Sequence, residues 1–233
     1  MSRKAVPRTA AVLVAVCVLC TAAAATQIKI AETTLSLPLP PGHCELDPTV
    51  STDAHLVSNI HAARNKTGNR LLLLSADCRD LREWRNGKRP ALERRAEYQT
   101  VLAFANGPLP DAPENVLKRL CGQMQDMGTQ AGSIQPKDLQ QRAEQALATL
   151  RVNQMRFLGT IGEGPTACYA SLLQKSQTDT GQERVEVTVF ATTIVKGKVV
   201  LHYAFAPYAN KGTIVEMLTR QKAMVARLQA ANR

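Results

Sequence analysis

RVEVTVFATTIVKGKVVLHYAFA, residues 184–206, is the stretch that decides the fold. Val185, Val187, Val189, Ala191, Thr193 and Val195 fall on one side at a period of two. Glu186, Thr188, Phe190, Thr192 and Ile194 fall on the other. Lys196-Gly197 breaks the run, and Gly197 supplies the positive φ that a tight hairpin turn needs. The alternation then resumes, with Val199, Leu201, Tyr203 and Phe205 against Val200, His202, Ala204 and Ala206. One face is strongly apolar and the other partly so. This predicts a central pair in an antiparallel sheet with helices over at least one face.

Working outward, Pro207 ends the return strand. Thr213-Ile214-Val215-Glu216 reads as a capping box, with the Thr213 hydroxyl at the helix start and Glu216 reaching back. Ile214, Leu218, Val225 and Leu228 make one helical stripe, predicting a helix across the hairpin that ends near Ala231. Arg227 and Arg233 suit the negative end of its dipole.

Residues 1–25 read as a secretory signal peptide. Arg3, Lys4 and Arg8 form a basic start, a small and apolar run follows, and Ala23-Ala24-Ala25 offers a cleavage site. The alternative is an uncleaved N-terminal anchor. A lipoprotein is disfavoured because Val16 and Leu19, not small residues, precede Cys17 and Cys20. Cleavage near Ala25 removes three basic and no acidic residues, so the formal charge of +10 becomes +7. A basic exported chain favours anionic surfaces such as phospholipid or cell wall; plain solubility is the simpler use of that charge. Four cysteines remain, Cys44, Cys78, Cys121 and Cys168, an even number suited to disulfides in an oxidising compartment. Of the three possible pairings, the one adopted is Cys44–Cys78 with Cys121–Cys168. Among these four no CxxC-type spacing supports a metal site, and no cofactor is expected.

The rest of the chain, residues 26–233, reads as one α+β domain. Thr26 to Pro41 is expected as an extended opening segment whose prolines confine it to a sheet edge or a surface strap. Asp53–Asn65 is a helix with Leu56, Val57, Ile60 and Ala63 on one face, and Arg70–Asp77, with four leucines in a row, is a buried strand. Arg79–Gly87 is a short helix carrying Trp84, and Glu97–Ala105 a strand. Helices follow from Pro113, with Val116, Leu117, Leu120, Cys121 and Met124 inward, and from Pro136, with Leu139, Ala143, Leu147 and Leu150 inward. The Gly- and Gln-rich segment Gly128–Gln135 between them is expected as a loop. Strands over Met155–Gly162 and Ala167–Lys175 and a polar turn at Gln177–Gly181 lead back to the hairpin.

A Leu-Pro strand, then Pro41-Gly42-His43-Cys44-Glu45-Leu46-Asp47, a helix, an apolar strand, more helices, and an antiparallel meander with a long hairpin and closing helix: this order resembles the Mog1/PsbP-like α/β/α sandwich, including uncharacterised exported bacterial proteins built that way. The resemblance implies a mainly antiparallel sheet with helices packed on its faces. It also implies a binding or assembly role rather than an enzyme, although fold does not fix function.

His55 and His61 are six apart, not the three or four of a helical metal pair, and His202 lies mid-strand. No Gly-x-Ser-x-Gly, Ser-x-x-Lys or His-Glu-x-x-His occurs. Gly159, Gly162 and Gly164 precede a strand, so they read as a hairpin turn and not a phosphate loop. Asn65-Lys66-Thr67 is a glycosylation sequon only in a eukaryotic source. The best candidate surface is basic: Arg79, Arg82, Arg85 and Arg89 recur at helical spacing and suit phosphate or carboxylate partners. The competing reading is a solvated face compensated by Glu83, Glu93 and Glu97. The sequence thus supports a non-enzymatic exported binding or assembly factor meeting an anionic envelope component or a protein, with nucleic acid not expected. Alternatives are an envelope hydrolase, with His202 or His43 in its site, and a structural protein anchored by residues 1–25.

Overall fold

The computed structural model describes residues 25–127, 138–177, 181–210 and 212–233. The expected signal peptide up to residue 24, the loop expected at Gly128–Gln135, the helix start expected at Pro136 and residues 178–180 of the polar turn expected at Gln177–Gly181 lie outside them.

Strands β1 (Ala25–Ile30) and β2 (Thr33–Pro38) form their own two-stranded antiparallel sheet. The sequence pointed instead to one extended segment, at a sheet edge or as a surface strap. The turn between them, Ala31-Glu32, contains neither Gly nor Pro, and Ala31 itself adopts φ 49°. Leu35 and Leu37 are fully buried, each contributing about 2 kcal/mol by area transfer.

The chain continues through β3 (His43–Glu45), α1 (Ser51–Lys66), β4 (Asn69–Asp77), α2 (Cys78–Arg85), β5 (Arg95–Val101), the single turn α3 (Leu102–Ala105) and α4 (Pro113–Met127). Then come α5 (Leu139–Thr149), β6 (Gln154–Gly164), β7 (Ala167–Gln177), β8 (Glu183–Val195), β9 (Lys198–Pro207) and α6 (Gly212–Ala230). Seven strands form an antiparallel sheet in the order β3-β4-β5-β9-β8-β7-β6, with the 184–206 hairpin in its middle. Lys196 and Gly197 take φ of 47° and 72°, the two positive values of a type I′ turn.

Helices cover both faces. Val187, Val189 and Ala191 of β8 pack beneath α5 and α6. On that same face, Leu35 and Leu37 meet Leu73, Tyr98 and Val200 of the sheet and Met224 and Leu228 of α6. On the opposite face Phe190 and Ile194 lie under α4. There, too, Leu71, Leu74 and Ala76 lie under α1 and α2, against Leu56, Val57, Ile60 and Trp84. A register shift between Leu71 and Leu73 explains how consecutive leucines serve both layers.

Three local expectations are corrected. Residues 102–105 are helical, because β4 begins at Asn69, opposite Val101, and offers them no partner. Ala63 is exposed, so the buried edge of α1 is narrower than its sequence pattern. The capping box at Thr213 does not form. The helix starts at Gly212, the Thr213 hydroxyl accepts from the N–H groups of Ala209 and Asn210, and Glu216 pairs forward with Arg220.

Both disulfides have the adopted pairing, Cys44–Cys78 and Cys121–Cys168, spanning 34 and 47 residues. Loops of that length imply roughly 4 kcal/mol each in the chain-entropy account. The first ties edge strand β3 to the start of α2, and the second ties α4 to β7 in the core. Among the described residues no helix is long and apolar enough to cross a membrane.

Asn232, just beyond α6, closes the free side of β2. Its Oδ1 accepts from the Ser36 N–H at 2.9 Å, and its Nδ2 donates to the Ser36 carbonyl at 2.7 Å and to the Leu228 carbonyl at 2.8 Å. The side-chain amide thus stands in for a neighbouring strand. Asn232→Ala is expected to cost about 1–2 kcal/mol, read from urea unfolding, with faster hydrogen exchange at Ser36. An unchanged Ser36 exchange rate would show that the clamp contributes nothing.

Candidate functional site

The basic surface is built on α2. Asp77 caps the helix, its carboxylate accepting from the N–H groups of Arg79 at 2.9 Å and Asp80 at 3.1 Å. Burial pushes the Asp77 carboxyl up, but these two bonds outweigh it and hold it below the usual carboxylate range. Leu81 is buried and Trp84 half-buried against α1 and β4, which leaves Arg79 and Arg82 exposed on the outer side of α2.

Three of the four arginines are engaged. Arg85 grips the fully buried Asp53, Nε to Oδ1 at 3.0 Å and Nη2 to Oδ2 at 2.5 Å, and Asp53 also accepts from the Asp47 N–H. Burial raises the Asp53 carboxyl, but the Arg85 guanidinium and the Asp47 N–H outweigh it and leave it below its ordinary value. Arg89 bridges Asp80, Glu83 and Glu93 at 3.1, 3.3 and 3.5 Å. Arg79 pairs with Glu83 at 3.0 Å. Arg82, together with Lys88 and Arg94 beyond the helix, is exposed and forms no salt bridge among the described residues.

Sequence reasoning missed a second charged array, on the sheet face between α1 and α4. Arg64 of α1 binds both oxygens of Glu97, which is fully buried and also accepts from Gln99. Arg95 binds both oxygens of Glu186 and lies 4.0 Å from the Phe205 ring centroid. Phe205 stacks toward Tyr203, and Tyr203 stacks on Phe190. Glu97 reads as an ordinary strand residue until β5 is known to lie inside the sheet, so only the alternation of charge with Ala96 and Tyr98 could have flagged it. The Arg64–Glu97 pair holds α1 to the sheet, and the Arg95–Glu186 pair joins β5 to β8 within it.

The histidines are distributed as ordinary residues would be. His55 and His61 lie on the exposed side of α1, each beside an asparagine one turn on. His43 Nδ1 is 3.3 Å from Ser75 Oγ, and its strand partner is Asp77. Burial brings the His43 pKa down to about 4, with Asp77 opposing and Arg220 assisting. Ser75 is fully buried and the Asp77 carboxylate is committed to α2, so the three do not form a nucleophile–base–orienter relay. His202 is 1 % exposed: Nδ1 meets Gln221 Oε1 of α6 at 2.9 Å, Tyr98 lies 4.5 Å away ring to ring, and Nε2 has no hydrogen-bond partner among the described residues. Burial lowers its pKa to about 4. Among the described residues no group of three or more His, Cys, Asp or Glu could hold a metal ion.

Two clefts adjoin the β8–β9 turn. One, of about 390 Å³, lies between the start of α4 and the end of α6; the other, of about 490 Å³, lies between the β1–β2 turn and residues 106–109. Comparison with known proteins finds no family model and no curated protein that matches this chain.

Proposed function

We propose that this is an exported, disulfide-stabilised binding or assembly factor, not an enzyme, that meets an anionic envelope component through the α2 surface. The observation carrying this reading is three exposed cations on and shortly after α2, Arg82, Lys88 and Arg94, that form no salt bridge among the described residues, close in sequence to arginines already neutralised. Two disulfides support an oxidising compartment for the folded chain. Helices on both faces of an antiparallel sheet support the Mog1/PsbP-like resemblance and its non-enzymatic prior.

The test is co-sedimentation of residues 26–233, oxidised, with vesicles of anionic or zwitterionic phospholipid and with envelope fractions. Arg82→Glu/Lys88→Glu/Arg94→Glu is expected to weaken binding at least about tenfold, given about 1 kcal/mol per basic side chain near an anionic surface. Its urea midpoint should stay that of the parent. Binding that survives the triple reversal with the same salt dependence would sink the surface. Export is checked by the intact mass of the protein from its native host: Thr26 should be the first residue and no thiol should be free before reduction.

A further inference from the structure

Lys198 opens β9 directly after the Lys196-Gly197 turn and is only 6 % exposed. Its Nζ donates to the carbonyls of Ala105 at 3.1 Å and Gly107 at 2.9 Å. Those carbonyls close the α3 turn, but they are neutral. Among the described residues no carboxylate forms a salt bridge with Lys198, whereas buried charges are normally paired. An ammonium has three N–H donors, and two are used here.

Lys198 also lines the 490 Å³ cleft, whose size falls in the ordinary range for small-molecule sites. Ala31, Pro108, Leu109 and Pro113 supply apolar walls, and Lys196 adds a second positive charge. Glu32, the acidic residue of the lining, is 94 % exposed at its side chain and engaged with Lys29 at 3.1 Å.

We propose that this cleft binds an organic carboxylate with a short apolar body, the carboxylate taking the remaining N–H of Lys198 and the body lying against Pro108, Leu109 and Pro113. The site is separate from the α2 surface and shares no residue with it, so either proposal can fail alone.

The experiment is an amide NMR titration of the oxidised 26–233 chain with hexanoate and, in parallel, hexanol. Hexanoate is expected to shift residues 31–33, 106–109, 113 and 196–198, and to bind about tenfold or more tightly than hexanol, the difference one charge-assisted hydrogen bond makes. Lys198→Met should bring hexanoate down to hexanol's affinity. Leu109→Asp places a carboxylate in the cleft while leaving both carbonyl bonds of Lys198 in place, and should abolish hexanoate binding. It decides the matter even where Lys198→Met fails to fold. No shifts at roughly millimolar hexanoate, equal affinity for hexanoate and hexanol, or undiminished binding by Leu109→Asp would each overturn the proposal and leave Lys198 as a structural cap of α3.

Discussion

Arg85→Glu is expected to lower stability by roughly 3–5 kcal/mol, while Arg82→Glu, three residues earlier on the same helix, should stay within about 0.5 kcal/mol of the parent. The two arginines look alike in sequence. Arg85, however, is the guanidinium that compensates Asp53, a carboxylate with no exposure at all, through two bonds. Reversing its charge strands that carboxylate in the interior and sets a second one against it. Arg82 is exposed and forms no salt bridge among the described residues. Urea unfolding of the two variants at neutral pH is the measurement. Equal midpoints would mean that Asp53 finds other compensation and that the Arg85 pair does not anchor α2 to α1. Loss of partner binding by Arg85→Glu therefore says nothing about the surface, which is why the binding test uses Arg82, Lys88 and Arg94.

Mild acid should have an effect of similar size. His43 and His202 both fold with pKa values near 4, against 6.5 for an exposed histidine. The folded state keeps them neutral, so the unfolded state binds more protons below pH 6.5. Their contribution is fully present above that value and is lost as pH falls from 6.5 toward 4. Each histidine should remove about 2 kcal/mol between pH 7 and pH 5, and both together about 4 kcal/mol. Asp53, Asp77 and Glu83 have depressed values, so their stabilisation is lost only at lower pH. His202 has the stronger structural reason: its Nε2 would gain a proton with no hydrogen-bond partner among the described residues. His202→Gln should halve the loss between pH 7 and pH 5. A parent whose urea midpoint is flat across that range would show that both rings are protonated without penalty.

The central hairpin was legible because its period-two pattern runs through more than twenty residues and Lys196-Gly197 marks the turn. The disulfide pairing was one of three that four cysteines allow, and nothing in their spacing excluded the other two; the structure shows the pairing adopted. The β1–β2 turn was not legible: Ala31 takes a left-handed conformation that its residue type disfavours, held by six paired positions from Ala25 to Pro38. The α6 start was misplaced for a different reason. Thr213 and Glu216 have capping-box spacing, but the Thr213 hydroxyl was drawn to the N–H groups of the chain before it. Asn210 meanwhile accepts from the Gly212 N–H. The basic run around α2 was visible as composition. Which of its members are engaged was not, because Asp53 lies 32 residues from Arg85 and reads as an ordinary first-turn acid.

The clamp at Asn232 gives the chain an order of completion. Ser36 and Asn232 are 196 residues apart, so the outward backbone groups of Ser36 stay unsatisfied until the residue beyond α6 is present. Any process that handles the polypeptide from its N-terminal side, synthesis or threading through a membrane, thus leaves β2 without its last partner throughout. Closing so long a loop is slow in topological terms. A chain interrupted before residue 232 would leave the backbone of Ser36 open to another strand. The last helix is in this sense a latch as well as a layer.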